Sequence, residues 1–131
     1  MIKHSEPYLR PNILYSFWYA IRGLGYTYYS QRNMKIHCAF SFIAIVAGLY
    51  FHLSATDWHS LIGAIALVLL AESFNTSIEL SVDLTTKKKK IRAMLSKDVA
   101  AGAVLIAAIH ALGVGYLIFF QRFVSLISGG S

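Results

Sequence analysis

The sequence predicts an all-α integral membrane protein with three transmembrane helices and an N-terminal amphipathic helix that lies at the membrane interface. Hydrophobic residues make up 56% of the 131 residues, charged residues only 14%, and the mean hydropathy is +0.56. A soluble chain of this size could not bury so much apolar surface, so part of that surface must face lipid. The length suits one membrane domain over residues 1–131.

The chain contains one interrupted aromatic segment and three long apolar helices. Residues 12–31 are rich in Tyr and Trp but are interrupted by Arg22 and two glycines, which favours a helix in the headgroup layer. A first spanning helix is the alternative for this segment. We predict membrane-spanning helices at 36–53, 58–84 and 98–120 because each contains an apolar run suited to crossing the hydrocarbon core.

Basic residues predict the orientation of the chain. Of the 12 lysines and arginines, all but Arg122 precede the first span or lie between the second and third spans, where the run Lys87–Lys90 marks a loop. Because basic segments remain on the cytoplasmic side, we expect a multi-pass protein with a cytoplasmic N-terminus and an external C-terminus. The run is interpreted as a topology determinant that contacts lipid headgroups, with a part in nucleotide binding as the alternative.

The net charge of +6 raises the question of an anionic partner. Nucleic acid is the usual partner of a basic chain, but the high hydropathy favours anionic lipid headgroups and a phosphorylated small molecule instead. We therefore expect no nucleic-acid binding.

One face of the second span contains the residues that could perform chemistry. Glu72, Asn75, Glu79 and Asp83 fall within roughly an 80° arc at about 100° per residue. Carboxylates in a membrane are costly and usually face the interior of a bundle. Glu72 lies deepest, which suits a general base, and Glu79 lies nearer the water, where it suits a ligand of Mg²⁺. Polar contact between helices is the alternative for both.

Lys97 and Asp98 begin the third predicted span. The backbone N–H groups and the dipole at a helix start favour a phosphate, and Lys97 would add a positive charge. The sequence contains no Walker A motif, glycine-rich kinase loop or cysteine–histidine metal cluster, so the common nucleotide-binding motifs are excluded.

Three motifs follow one another along the chain: QRNMKIH at 31–37, AESFNTSIELSVDL at 71–84 and SKDVAAGAVL at 96–105. In order and spacing they resemble the prokaryotic diacylglycerol kinase family, which includes the undecaprenol kinases, and the similarity covers about residues 12–120. This resemblance implies an ATP-dependent lipid kinase in the bacterial inner membrane. It also implies a homotrimer whose composite active sites form between protomers at the cytoplasmic face.

The resemblance further implies roles for individual residues. Glu72 matches the catalytic base that takes the proton from the lipid hydroxyl, and Asn75 matches a neighbouring polar residue of the site. Glu79 matches a ligand of the Mg²⁺ that is bound with ATP. The positions matched to nucleotide binding are Tyr19, Lys97 and Asp98, together with Asp83 at the acidic end of the helix motif.

Gln31 departs from the family pattern, which often has a second metal-binding Glu at this position. An amide oxygen can still ligate Mg²⁺ without charge, so Gln31 is predicted as a metal ligand with an altered affinity or stoichiometry.

The acceptor is predicted to be diacylglycerol or undecaprenol, and the motif wording is closer to the undecaprenol kinases. The alternative is a non-enzymatic membrane protein, such as a transporter or assembly subunit that uses intramembrane carboxylates. The absence of inverted repeats and broken helices from the sequence pattern argues against this alternative.

Overall fold

A computed structural model describes residues 13–86, 88 and 90–129, and its regular elements are helices. They are α1 (Ile13–Ser30), α2 (Arg32–Tyr50), α3 (Ala55–Thr85) and α4 (Ile91–Ile127). The described residues contain no strand, which confirms the all-α class. α2, α3 and α4 are each long and apolar enough to cross a membrane, so the three predicted spans are also confirmed. The interfacial position of α1 stays a prediction.

The helices are longer than the predicted spans, most of all at α4. The sequence predicts a third span at 98–120, whereas α4 begins at Ile91 and ends at Ile127. Hydropathy marks the part of a helix that can lie in hydrocarbon, but the backbone hydrogen bonds continue through the helix-favouring residues on either side. Lys97 and Asp98 therefore lie beyond the first turn, where backbone N–H groups bond within the helix. The prediction that they begin a helix is wrong, and a phosphate contact at these residues would depend on their side chains.

A single extended residue, Gln31, separates α1 from α2. Its backbone has φ −102° and ψ 122°, and its N–H donates to the Thr27 carbonyl oxygen at 2.9 Å. Thr27 is buried, and its hydroxyl donates to the carbonyl oxygen of Gly23 at 3.1 Å. The junction is thus tied to the end of α1, which fixes where the Gln31 side chain starts.

Two features stabilise the turn between α2 and α3: a cap at the start of α3 and a close approach of α2 to Trp58 of α3. The Ser54 hydroxyl accepts the N–H of Asp57 at 3.2 Å, which caps the N-terminus of α3. A Cβ built on Gly48 of α2 would lie 2.9 Å from Cη2 of Trp58 and 3.0 Å from Cδ1 of Leu53. Glycine at position 48 is therefore what allows the Trp58 ring to pack against α2.

α3 and α4 form the main packed unit, an antiparallel pair with an ion pair near each end. Arg122 Nη2 lies 2.7 Å from Asp57 Oδ2, and Lys97 Nζ lies 2.6 Å from Asp83 Oδ1. Small and branched side chains are buried between the two ion pairs, where they permit close approach: Leu61, Ala64, Val68, Ala100, Val104, Ala107 and Ile118.

Large apolar side chains cover much of the outer surface of the helices. Phe40 of α2 is 66% exposed, and Leu112 and Leu117 of α4 are 75% and 79% exposed. Surface of this kind is unstable in water and is expected to face lipid or another copy of the chain. The exposed surface therefore agrees with a membrane protein.

Candidate active site

Glu72 is a buried carboxylate on α3. It is 1% exposed, and neither of its carboxylate oxygens has a hydrogen-bond partner among the described residues. The two ion pairs fix the alignment of α3 with α4. Counting residues between them places Glu72 at the same height along the helix pair as Ala107 and Ala108 of α4, whose side chains are small. Burying an ionised carboxylate without a partner costs on the order of several kcal/mol. Within the described residues, no polar contact between helices satisfies Glu72.

Asn75 and Thr76 are polar neighbours of Glu72 along α3, but neither donates a hydrogen bond to its carboxylate. The Thr76 hydroxyl is buried and donates to the backbone carbonyl oxygen of Glu72 at 2.9 Å. The Asn75 amide donates to Oε1 of Glu79 at 3.1 Å, while its buried Oδ1 accepts no hydrogen bond from the described part of the chain. The site thus presents buried acceptor oxygens that a hydroxyl group or a cation could satisfy.

Glu79, two turns above Glu72, is held by two amide donors. Gln31 Nε2 donates to Oε2 at 3.0 Å, and Asn75 Nδ2 donates to Oε1 at 3.1 Å. The structure thereby brings Gln31 from the α1–α2 junction to Glu79 of α3. These are the two residues that the sequence analysis predicted as metal ligands. The described residues include no group of three or more His, Cys, Asp or Glu side chains that could hold a metal ion. Mg²⁺ bound together with a nucleotide needs only one or two carboxylates, so Glu79 fits that chemistry.

Asp83 and Lys97 line a cleft of about 310 Å³ where α3 ends and α4 begins. Their side chains are 62% and 36% exposed and form the 2.6 Å ion pair. The cleft is completed by Val82, Thr86, Lys88, Lys90, Ala93 and Met94. Three lysines around one opening favour an anion such as a phosphate.

Three residues of this cleft show what the sequence could and could not predict. The lysine run indicated Lys88 and Lys90 but left their role open, and Lys87 and Lys89 lie outside the described residues. Thr86 was not predicted, since no sequence signal distinguishes it from an ordinary loop residue.

Tyr19 lies on α1 and Asp98 lies on α4, whereas Glu72, Asn75 and Glu79 lie on α3. Tyr19 is half-buried on α1, where its ring stacks on Tyr15 at 6.5 Å between centroids and the Arg22 guanidinium lies 5.3 Å from it. It precedes Gln31 by twelve residues, or about 18 Å along a helix. Asp98 is exposed on α4, next to the lysine that pairs with Asp83. Their nucleotide-binding roles stay predictions.

The site has two levels along α3. With Trp58 at one interface, a hydrocarbon core of about 30 Å ends near Ile78. On this placement Glu72 lies about 9 Å inside the other interface, Glu79 lies at that interface, and Asp83 lies about 16 Å from Glu72 along the helix. The deep carboxylate therefore lies at bilayer depth, whereas the amide-held carboxylate and the lysine cleft lie at the aqueous end of α3.

Comparisons with known proteins agree along most of the chain. The family model for prokaryotic diacylglycerol kinases matches residues 18–119. A diacylglycerol kinase from Synechocystis sp. is 40% identical over 118 residues, which cover 89% of this chain and 67% of that protein. An undecaprenol kinase from Bacillus subtilis is 36% identical over 107 residues, which cover 82% of this chain and 87% of that protein.

Proposed function

Since the chain belongs to the prokaryotic diacylglycerol kinase family and is a lipid kinase, we propose that it transfers the γ-phosphoryl group of ATP to the hydroxyl of diacylglycerol or undecaprenol. The observation that carries the proposal is Glu72, a carboxylate buried at membrane depth with neither oxygen satisfied by the described residues. The family match also removes the alternative of a non-enzymatic transporter or assembly subunit.

The lipid hydroxyl reaches Glu72 sideways from the bilayer, and the phosphates approach from the aqueous side. In the transfer, the hydroxyl oxygen bonds to the γ-phosphorus while the bond from that phosphorus to the β–γ bridging oxygen breaks, and ADP leaves. The hydroxyl proton passes to the Glu72 carboxylate, which acts as the general base. Burial of Glu72 restricts water, so the lipid hydroxyl is the acceptor presented to the phosphoryl group.

The phosphate side of the reaction uses the upper level of the site. Lys97, with Lys88 and Lys90 around the same cleft, attracts the nucleotide phosphates. Glu79 would hold Mg²⁺, which supplies charge neutralisation on the β- and γ-phosphates when bound. Asn75 helps to hold this carboxylate through its amide N–H.

The proposal includes a homotrimer with its active sites on the cytoplasmic side of the bacterial membrane. Tyr19 of α1 and Asp98 of α4 lie on other helices than Glu79, and sites shared between copies would allow them to contact the nucleotide. Arg122, the basic residue at the other end of the helices, is neutralised by Asp57 at 2.7 Å. Unneutralised positive charge is then concentrated at the end that the positive-inside rule assigns to the cytoplasm.

Transfer of label from γ-labelled ATP in detergent micelles tests the function. Diacylglycerol and undecaprenol are offered side by side, and labelled lipid is separated from ATP. We expect one acceptor to be labelled in an ATP- and Mg²⁺-dependent manner, and that acceptor identifies the substrate. A well-folded protein that labels neither lipid would contradict the proposal.

Replacement of Glu79 tests the phosphate side separately. Glu79→Ala should raise the Mg²⁺ concentration needed for half-maximal transfer by about tenfold or more, because it removes the carboxylate beside the phosphates. Asp57→Asn, at the opposite end of the same helix, is the matched control and should leave that concentration unchanged when rates are normalised to folded protein. An unchanged Mg²⁺ titration for Glu79→Ala would remove Glu79 from the cation site.

A further inference from the structure

We propose that Gln31 is a positioning residue for Glu79 and not a cation ligand. Its amide N–H holds the Glu79 carboxylate in place before the cation and the nucleotide bind. The inference rests on the proposed function and deepens it, since it changes the role that the resemblance implied for this position.

The side chain of Gln31 forms a hydrogen bond with α3 and does not cap its own helix, α2. Gln31 occupies the N-cap position of α2, yet among the described residues its side chain makes no capping hydrogen bond. Glutamine is not one of the favoured N-cap residues, so helix capping does not explain its presence. Instead Nε2 reaches Oε2 of Glu79 at 3.0 Å, across 48 positions of sequence.

The chemistry of this hydrogen bond fixes the direction of the amide. An ionised carboxylate only accepts hydrogen bonds, so the N–H group of Gln31 must face Glu79. For Gln31 to ligate a cation together with Glu79, the amide would have to flip and the bond to Glu79 would be lost. In the observed arrangement Gln31 acts on the cation only through Glu79.

Two neutral donors leave the charge of Glu79 available. Gln31 and Asn75 each occupy one oxygen, while a carboxylate offers about four lone-pair positions. Glu79 is thus restrained at both oxygens and keeps its negative charge for a cation. A glutamate at position 31 would instead put a second carboxylate against Glu79, and the two charges would repel until a cation separated them.

Binding of Mn²⁺ alone, followed by electron paramagnetic resonance, tests the role of Gln31 in detergent-solubilised protein. Gln31→Met keeps the size of the side chain and removes the donor, and Gln121→Met near the end of α4 is the matched control. We expect Gln31→Met to bind Mn²⁺ about tenfold more weakly, the scale typical of residues that orient a metal ligand, with the same number of ions per chain. The control should match the wild type.

Three results of this titration would overturn the inference. Loss of one ion per chain in Gln31→Met would make Gln31 a ligand. Unchanged Mn²⁺ affinity would make it a bystander. A wild type that binds no Mn²⁺ would show that Glu79 is not ready for a cation before the nucleotide arrives.

Thermal unfolding of Gln31→Glu provides a second readout that does not depend on activity. This variant should unfold at a lower temperature than the wild type without divalent cations and should recover when Mg²⁺ is added, whereas the wild type should change little. A Gln31→Glu protein as insensitive to Mg²⁺ as the wild type would count against the contact. Lack of lipid labelling by the wild type would overturn the proposed function alone, because both binding and unfolding can still be measured.

Discussion

Glu72 and Glu79 lie two turns apart on α3, but their surroundings are opposite. Glu79 receives a hydrogen bond at each oxygen, and Glu72 receives none from residues 13–86, 88 and 90–129. The helical period alone predicted that both carboxylates share one face. It could not predict which is satisfied, because the Gln31 donor comes from a junction 48 positions away. Hydrogen bonds between side chains of elements far apart in sequence cannot be predicted from helical periodicity.

Lys97 is the residue at which a nucleotide contact and a structural ion pair can be separated. The Lys97 side chain is 36% exposed and the Asp83 side chain is 62% exposed, so their ion pair should contribute less than about 1 kcal/mol to stability. Lys97→Met should therefore raise the KM for ATP by about tenfold with little change in unfolding. Lys35→Met, an exposed lysine of α2, is the control.

Steady-state kinetics and thermal unfolding of the two lysine variants check this prediction. An unfolding temperature that falls sharply in Lys97→Met, with an unchanged KM for ATP, would assign Lys97 a structural role instead.

At the scale of elements, the spans could be predicted because their apolar runs are long, and the end of α3 was predicted to within one residue, but the ends of α4 could not be predicted. α4 begins at Ile91, before the hydrophobic segment, where helix formation is favoured by backbone hydrogen bonding and not by lipid. The consequence for the site is direct. Lys97 reaches Asp83 as a side chain in the body of α4, and the phosphate cleft depends on side chains and not on a helix N-terminus.

Gly48 is the position where two elements meet most closely. Gly48→Ala would bring a Cβ within 2.9 Å of the Trp58 ring, and the overlap should destabilise the protein by about 1–3 kcal/mol. Gly63→Ala on α3 is the control, because its Cβ would meet no atom within 4 Å in the described structure. It should be neutral or stabilising by about 0.5–1 kcal/mol, since glycine is unfavourable inside a helix.

Denaturant unfolding of both glycine variants measures the difference. Equal stabilities for Gly48→Ala and Gly63→Ala would show that Trp58 does not pack against α2 as described.

At the scale of the whole molecule, the two ion pairs of the α3–α4 unit bracket the membrane. Asp57 and Asp83 are about 39 Å apart along α3, which exceeds a hydrocarbon core of about 30 Å, so both pairs can lie outside it. Glu72 lies between them and inside the core. The number of spans follows from hydropathy, and the depth of the carboxylate follows from its position on α3 relative to Trp58. The alignment of α4 with α3 is shown by the ion pairs.

Accessibility of single cysteines tests the orientation. In a Cys38→Ser background, Ser54→Cys should react with a membrane-impermeant maleimide applied to spheroplasts, because the α2–α3 turn is expected outside. Lys88→Cys should react only after permeabilisation. The reverse pattern would contradict the orientation and would put the lysine cleft on the side without cytoplasmic ATP.

The most direct test of the central claim measures turnover and unfolding temperature together for Glu72→Gln. If Glu72 is a base kept without a partner for the lipid hydroxyl, the neutral variant should lose at least about 100-fold in phosphate transfer and unfold at the same or a higher temperature. A variant that unfolds at a clearly lower temperature while keeping most of its turnover would show that Glu72 is structural, and the account would be wrong.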